Sequence, residues 1–367
     1  MAGIYIHIPF CSSRCTYCSF YSTKQHGKKE QFIATLNKEI EAKRDFFEGV
    51  RPDTIYIGGG TPSLISIAQY ESLFAALSEN FFGGGGFEGV TEFTIEANPD
   101  DITLEYAEGL RRLGVNRISM GIQTFDSAAL KAMNRRHSSA DAVEAYMALR
   151  KAGFENISLD LIFGYSIKED SSVEDSWQRW RNDLATMISL KPEHISAYQL
   201  SIAPDKQLEL LEDDVCAAQY SYLQKSLREG AYRQYEISNF CLSEREAIHN
   251  GSYWKRKAYL GLGPSAHSFR ADRRSWNVAN LKKYLEGSYD GGFELLTEEN
   301  VADEIIMVGL RTVEGVSLKE LSEHCDIEQL DIESLIRRGL LIKKEDTLSI
   351  PLDKFFIADS IIGELFH

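Results

Sequence analysis

Ile4-Tyr5-Ile6-His7-Ile8-Pro9-Phe10-Cys11-Ser12-Ser13-Arg14-Cys15-Thr16-Tyr17-Cys18 is the stretch from which the rest of the chain is read. Its first five residues carry the β-branched and aromatic bias of a strand. Three thiols then fall within eight residues, Cys11, Cys15 and Cys18, so they can converge from one loop at the strand's C-terminal end. A four-iron cluster normally takes four thiolates, and three leave one iron with an open coordination position. Zinc is the alternative for clustered thiols. A structural zinc site wants a fourth Cys or His, however, while His7 lies back in the strand and Cys216 and Cys241 are remote in sequence. Cys216, Cys241 and Cys325 are scattered and read as ordinary reduced or buried thiols. A secreted disulfide framework would spread its cysteines, and no secretory signal precedes the first strand. A reducing, cytoplasmic setting is therefore expected.

Working outward, the strand-then-helix rhythm repeats. Helix patterns over 29–47, 67–81, 103–113, 138–152 and 171–190 alternate with strand patterns over 54–57, 92–96, 117–121, 156–162 and 194–199. With the first strand this makes six β/α units in about 200 residues, and regular alternation implies a parallel sheet. Either a doubly wound sheet or an incomplete barrel would satisfy the pattern, and both place ligands at the C-terminal strand ends. From Asp213 the rhythm changes to a helix over 213–229, a strand over 234–238 and a long segment rich in Gly, Tyr and His. The last stretch has helix signals at 301–312, 318–325 and 335–341, then a turn at Asp346-Thr347 between short apolar strands. The chain thus divides into 1–212, a core of β/α units; 213–296, an extension of it; and 297–367, a small helical or winged-helix-like domain.

Composition narrows the partners. With 40 Lys+Arg against 55 Asp+Glu the net charge is −15, which repels nucleic acid and anionic membrane in the absence of a basic patch. No apolar run reaches the ~18 residues of a membrane span, so no stable membrane insertion is expected. No nucleic-acid partner is expected either, because the winged-helix-like unit has few clustered Lys or Arg.

Polar residues collect just after the strands. Gly58-Gly59-Gly60-Thr61-Pro62 follows the second strand; small residues there let backbone approach a ligand, and Thr61 can donate a hydrogen bond. Glu96 closes the third strand, where its carboxylate could accept from hydroxyls. Gln123 ends the fourth, with an amide that both donates and accepts. Arg135 offers a bidentate fork for a carboxylate. Asp160 is flanked by apolar residues, so its charge needs a partner or a ligand. Taken singly, each is more simply a turn or a structural hydrogen bond; their shared position strengthens the joint reading.

The C-x3-C-x2-C loop resembles the signature of the radical S-adenosylmethionine (SAM) superfamily. The resemblance implies a [4Fe-4S] cluster on Cys11, Cys15 and Cys18, with SAM chelating the open iron and cleaved to a 5′-deoxyadenosyl radical. It also implies a partial (β/α)6 TIM-like barrel. Ile4–Cys11, Gly58–Pro62, Glu96-Ala97-Asn98-Pro99 and Gly121-Ile122-Gln123-Thr124-Phe125 are similar to the oxygen-independent coproporphyrinogen III oxidases and their relatives, the heme chaperones of the HemW branch. On that likeness Tyr5, Tyr17, Gly59, Gly60, Thr61, Glu96, Gln123, Arg135 and Asp160 are SAM-contact candidates. No residue is assigned a catalytic role.

Two departures separate the branches. The oxidase pattern continues as C-x3-C-x2-C-x-C, whereas Phe20 stands here. The oxidases also carry an extension ahead of the cluster, and only ten residues precede Cys11. His249-Asn250-Gly251-Ser252-Tyr253-Trp254 is similar to the H-N-x-x-Y-W run of the chaperone branch, where it is associated with heme. An imidazole can ligate heme iron and aromatics can stack on a porphyrin. The plainer alternative is that His249 bonds a turn while Tyr253 and Trp254 pack a core edge. His267 is a second candidate. The resemblance therefore implies heme as a third cofactor and heme-accepting proteins as partners, with dimerisation left open. If the chain is catalytic, it implies an oxidoreductase of the coproporphyrinogen III dehydrogenase type.

Overall fold

The structure is a computed structural model that describes residues 2–201 and 207–366. Strands β1 (Gly3–Ile8), β2 (Thr54–Gly59), β3 (Glu92–Ala97), β4 (Arg117–Gln123) and β5 (Ile157–Phe163) lie parallel. Beyond β5, the short β6 (Tyr165–Ile167) pairs with β8 (Leu208–Leu210), while β7 (His194–Gln199) completes the parallel run. The order β1-β2-β3-β4-β5-β7 follows the sequence without a reversal. A doubly wound sheet reverses at a switch point, so the strand order selects the partial (β/α)6 barrel.

The barrel does not close. At one edge β11 (Tyr259–Leu262) adds parallel to β1, followed by antiparallel β12 (His267–Arg270), β13 (Arg273–Asn277) and β14 (Asp290–Leu295). At the other edge β10 (Asn239–Cys241) pairs antiparallel with β7, and β9 (Arg233–Gln234) pairs with β10. The single strand expected over 234–238 is broken between these two. Gln234 Nε2 donates to the carbonyls of Glu236 (3.2 Å) and Ile237 (3.1 Å), and the Glu236 carboxylate accepts from Ser238 N (3.0 Å). Local side-chain bonds take the place of the ladder there.

Helices α1 (Lys29–Ala42), α2 (Ile67–Phe81), α3 (Leu104–Arg112), α5 (Ser139–Lys151) and α6 (Val173–Leu190) cover the outside of the barrel, with the short α4 (Ser127–Ala132) following β4. Their starts are written in sequence: Ser66 and Ser138 form capping boxes with Gln69 and Asp141, and Thr103 caps α3. Ile4, Ile6, Ile55, Ile57, Phe93, Ile95, Ile118, Met120, Leu159 and Ile195 form the core under these helices. The alternate positions, including Tyr56, Glu96, Arg117, Ser119, Asp160 and Ser196, line a cavity inside the barrel. The period of two in each strand thus separates an apolar outer face from a polar inner one.

Helices α7 (Asp213–Glu229), α8 (Ile248–Trp254) and α9 (Leu281–Leu285) belong to the segment that extends the sheet. The remaining chain runs α10 (Glu298–Gly309), β15 (Val316–Ser317), α11 (Leu318–Leu321), α12 (Ile332–Arg337), β16 (Ile342–Lys344), β17 (Thr347–Ser349) and α13 (Ala358–Gly363). Its three strands pair antiparallel in the order β15-β17-β16, giving the winged-helix-like unit. The helix expected over 335–341 stops at Arg337 because Gly339 takes φ +69°, the left-handed end that glycine supplies. Among the described residues no helix is long and apolar enough to cross a membrane.

Candidate functional site

The cysteine loop leaves β1 and is pinned at both ends. At its base Cys11 N donates to Thr23 O (3.0 Å) and Thr23 N to Pro9 O (2.6 Å). At its far side Thr16 N reaches Met133 O (3.3 Å), and Asn134 Nδ2 donates to Arg14 O (2.8 Å). The thiols form no disulfide and line a cavity of ≈ 400 Å³ with Tyr17, Gly59, Gly60, Thr61, Glu96, Gln123, Arg135 and Asp160 on its walls. Every cluster and SAM candidate named from the sequence is brought to this one cavity except Tyr5. The Tyr5 ring is stacked on Tyr56 at 6.2 Å, and its hydroxyl is engaged with His7 Nδ1 at 3.1 Å.

Backbone approach fixes the glycines. Gly60 N donates to Ile8 O (2.8 Å) and Thr61 N to Phe10 O (2.7 Å). A Cβ on Gly60 would meet those two carbonyls at 2.8 and 2.7 Å and Cys11 Sγ at 3.1 Å, so no side chain fits there. Thr61 Oγ1 donates to Cys11 Sγ at 3.5 Å, and Arg135 Nη1 to Cys15 Sγ at 3.5 Å. Two thiols therefore already have donors aimed at their sulfurs.

Arg135 is anchored by Asn98 Oδ1 (2.9 Å) and by Gly121 O, while its Nε is buried without a partner. Gln123 sits at φ +74° beside an irregularity in the β4–β5 register. Such a conformation is costly for a residue with a Cβ and is found where a side chain is held for use. Glu96 accepts from Tyr56 Oη (2.7 Å) and Gly59 N (3.0 Å). Burial nevertheless pushes its carboxyl up to about 7, and burial pushes Asp160 up to about 6; Asp160 Oδ1 is buried with no hydrogen-bond partner. These orphaned atoms mark where a polar ligand is missing from the account.

A folded-state carboxyl raised above its unfolded value costs stability as pH rises, because the folded chain must give up a proton it holds more tightly. For Glu96 the loss accumulates between the ordinary value of 4.5 and about 7. Glu96→Gln is therefore expected to raise the stability of the ligand-free protein at pH 8 by on the order of 3 kcal/mol, with little effect at pH 4.5. Urea denaturation at the two pH values checks this; an equal effect at both would be inconsistent with it.

A family model described as the radical SAM superfamily matches residues 5–176. The heme chaperone HemW of Lactococcus lactis subsp. lactis is 33% identical over 380 residues, covering 99% of this chain and 96% of the relative. The Bacillus subtilis HemW is 32% identical, covering 99% and 98%. The chain belongs to the HemW family of the radical SAM superfamily. Among solved structures, coproporphyrinogen III oxidase (HemN) from Escherichia coli matches with a TM-score of 0.81 over 99% of this chain and 89% of that one. At 22% identity that likeness concerns the fold.

Radical SAM membership brings a [4Fe-4S] cluster and SAM as cofactors. When bound, the pair supplies one-electron reductive cleavage of a sulfonium. The walls fit such a pair: three thiols on one loop, a backbone cradle at Gly60, and buried polar atoms of Arg135 and Asp160 without partners. Among the described residues no three His, Cys, Asp or Glu side chains gather closely enough to hold a single metal ion. Cys11, Cys15 and Cys18 would hold a cluster rather than a single ion.

Of the HemW-type run on α8, Asn250 lines this cavity and His249, Tyr253 and Trp254 do not. His249 is fully buried, with Nδ1 on Thr54 Oγ1 (2.9 Å) and Nε2 on Tyr253 Oη (2.8 Å), and it stacks on Tyr56 at 5.3 Å. Burial and then the Arg117 charge lower its pKa to about 3. The structure thus makes His249 a core histidine with both nitrogens engaged; it lines neither cavity. His267 is exposed on an outer strand beside Trp276. Tyr253 and Trp254 do reach open space, a second cavity of ≈ 770 Å³ between the barrel edge and the C-terminal domain. Its walls include Phe163, Leu200, Tyr220, Phe355 and Phe356, and Trp254 Nε1 is buried without a partner.

Sequence reasoning missed Arg117, Ser119, Ser196 and Asn250, all on the first cavity's wall. The signal was present for the strand residues: Arg117 and Ser119 alternate with Ile118 and Met120, which marks a second, polar buried face. Asn250 sits inside the α8 run but was not singled out from it.

Proposed function

We propose that this chain is a heme chaperone, which binds heme and delivers it to acceptor hemoproteins in the cytoplasm. The observation that carries the reading is the ≈ 770 Å³ cavity walled by Tyr253, Trp254, Tyr220, Phe355 and Phe356. Its size is that of a ligand site, and flat aromatic walls suit a macrocycle. Full-length likeness to proteins named heme chaperone HemW supports the same reading. In it Cys11, Cys15 and Cys18 hold the cluster, while Tyr17, Gly59, Gly60, Thr61, Glu96, Gln123, Arg135 and Asp160 hold SAM. Residues 1–212 form the cofactor-bearing core, 213–296 carry α8, and 297–367 close the second cavity through Phe355 and Phe356.

Heme titration of the anaerobically reconstituted protein tests the reading. Stoichiometric binding, seen as a saturating Soret change, is expected; no binding would sink it. The fold shared with HemN favours one second reading, decarboxylation of coproporphyrinogen III propionates to vinyl groups. Phe20, in place of the thiol of the oxidase pattern, weighs against it. Robust turnover of that substrate by the holo-protein would replace the first reading with the second.

A further inference from the structure

Arg117 opens β4, in register with Thr94 of β3, and heads the largest side chains of the molecule with under 2% exposure. Its Nε and Nη1 are buried without a hydrogen-bond partner, and among the described residues no carboxylate forms an ion pair with it. The groups around it do not neutralise it. His194 is engaged through Nδ1 with Ser158 Oγ (2.7 Å) and through Nε2 with Tyr235 Oη (2.8 Å); His249 is likewise spent on Thr54 and Tyr253. Burial, reinforced by the guanidinium, lowers the pKa of both imidazoles, so both are neutral. Glu96 and Asp160 feel the guanidinium charge but remain raised by burial, and Glu96 is committed to Tyr56 and Gly59. An uncompensated buried cation costs several kcal/mol, which a fold tolerates where a ligand anion completes it.

Arg117 lines the first cavity, which adjoins the second. Tyr198, Gln199, Leu200, Ser201 and Asn250 line both. The second cavity offers aromatic walls but a poor setting for an acid. Among the described residues its one cation, Arg311, is held by Asp359, and Asp213 and Glu236 line the same cavity. Past the shared Asn250, the first cavity offers the Arg117 guanidinium as a counter-charge to an amphipathic ligand with its flat body in the second.

We propose that the buried Arg117 guanidinium is the anchor for a carboxylate of the carried ligand, a heme propionate reaching from the second cavity into the barrel. This rests on the heme reading above. The test is titration of the holo-protein with heme and with heme dimethyl ester, whose propionates carry no charge. A charge-assisted pair adds about 1.5–3 kcal/mol, so the wild type should bind heme roughly 10- to 100-fold more tightly than the ester. Arg117→Met should bind both with the ester's affinity, and Arg117→Lys should keep part of the preference. Because the substitution to Met removes an unpaired buried charge, the ligand-free variant should unfold no earlier in urea than the wild type. Equal wild-type affinities for acid and ester would overturn the proposal while leaving heme carriage intact, and that arm needs no variant to fold. A preference that survives in Arg117→Met would overturn the assignment to this residue. Loss of SAM binding in Arg117→Met with the heme preference unchanged would assign the guanidinium to the cofactor's carboxylate instead. Failure of the wild type to bind heme at all would fall on the functional reading.

Discussion

Cys15→Ala is expected to leave the anaerobically reconstituted protein without its broad visible cluster absorption, with iron and sulfide content close to zero. Cys15 is the middle of three thiols on the pinned loop after β1, and the Arg135 guanidinium donates to its sulfur at 3.5 Å. With three thiols present in that loop, removing one leaves two, and the scattered thiols cannot substitute: Cys216 and Cys241 are buried, and none of the three remaining cysteines lines the first cavity. Iron and sulfide analysis beside the absorbance spectrum makes the measurement, and far-UV circular dichroism verifies that the fold survives. An unchanged spectrum would refute the ligand assignment.

Glu39→Ala is expected to destabilise the protein by about 3–5 kcal/mol, the range for stripping one partner from a buried charged network. Glu39 lies on α1 with no exposed surface. Its carboxylate accepts from Lys43 Nζ (2.7 Å), Gly263 N (2.8 Å), Asn277 Nδ2 (2.6 Å) and Tyr284 Oη (2.7 Å). Those partners sit on α1, after β11, on β13 and on α9, so one side chain ties the first barrel helix to the sheet extension. Alanine would leave a half-buried lysine and a buried amide, phenol and backbone N–H facing a void. Chemical denaturation measures the loss, and a midpoint within error of the wild type would show that the network carries no such energy. Glu39→Gln, which keeps the shape and one acceptor, should lose less.

Glu39 also shows where sequence reading stops. Phe32, Leu36 and Ile40 announce the buried face of α1 by their spacing, and Glu39 sits beside them as one more charged residue in a helix. Three of its four partners lie more than 220 residues away, beyond anything a local pattern records. The cysteine loop is the opposite case, since its three candidate ligands are local and their C-x3-C-x2-C spacing carries the resemblance to the radical SAM signature. Glu96, Gln123, Arg135 and Asp160 lie between these extremes: strand ends mark them as candidates, and the parallel sheet brings them to one wall. The α8 run illustrates the risk in reading side chains from a motif. Its histidine is one candidate for heme iron in the sequence, with a bonded turn as the alternative; folding turns it into the core against Thr54 and Tyr56, and leaves Tyr253 and Trp254 to face the cavity.

The sequence by itself determined the β/α alternation, the helix caps, the cofactor loop and the family, because each depends on residues close together in the chain. Tertiary structure decided the open barrel over the doubly wound sheet, the burial of His249 and the solitary charge of Arg117. Those outcomes depend on which strands become neighbours, and strand order is set by long-range packing that leaves no periodic trace in any one segment.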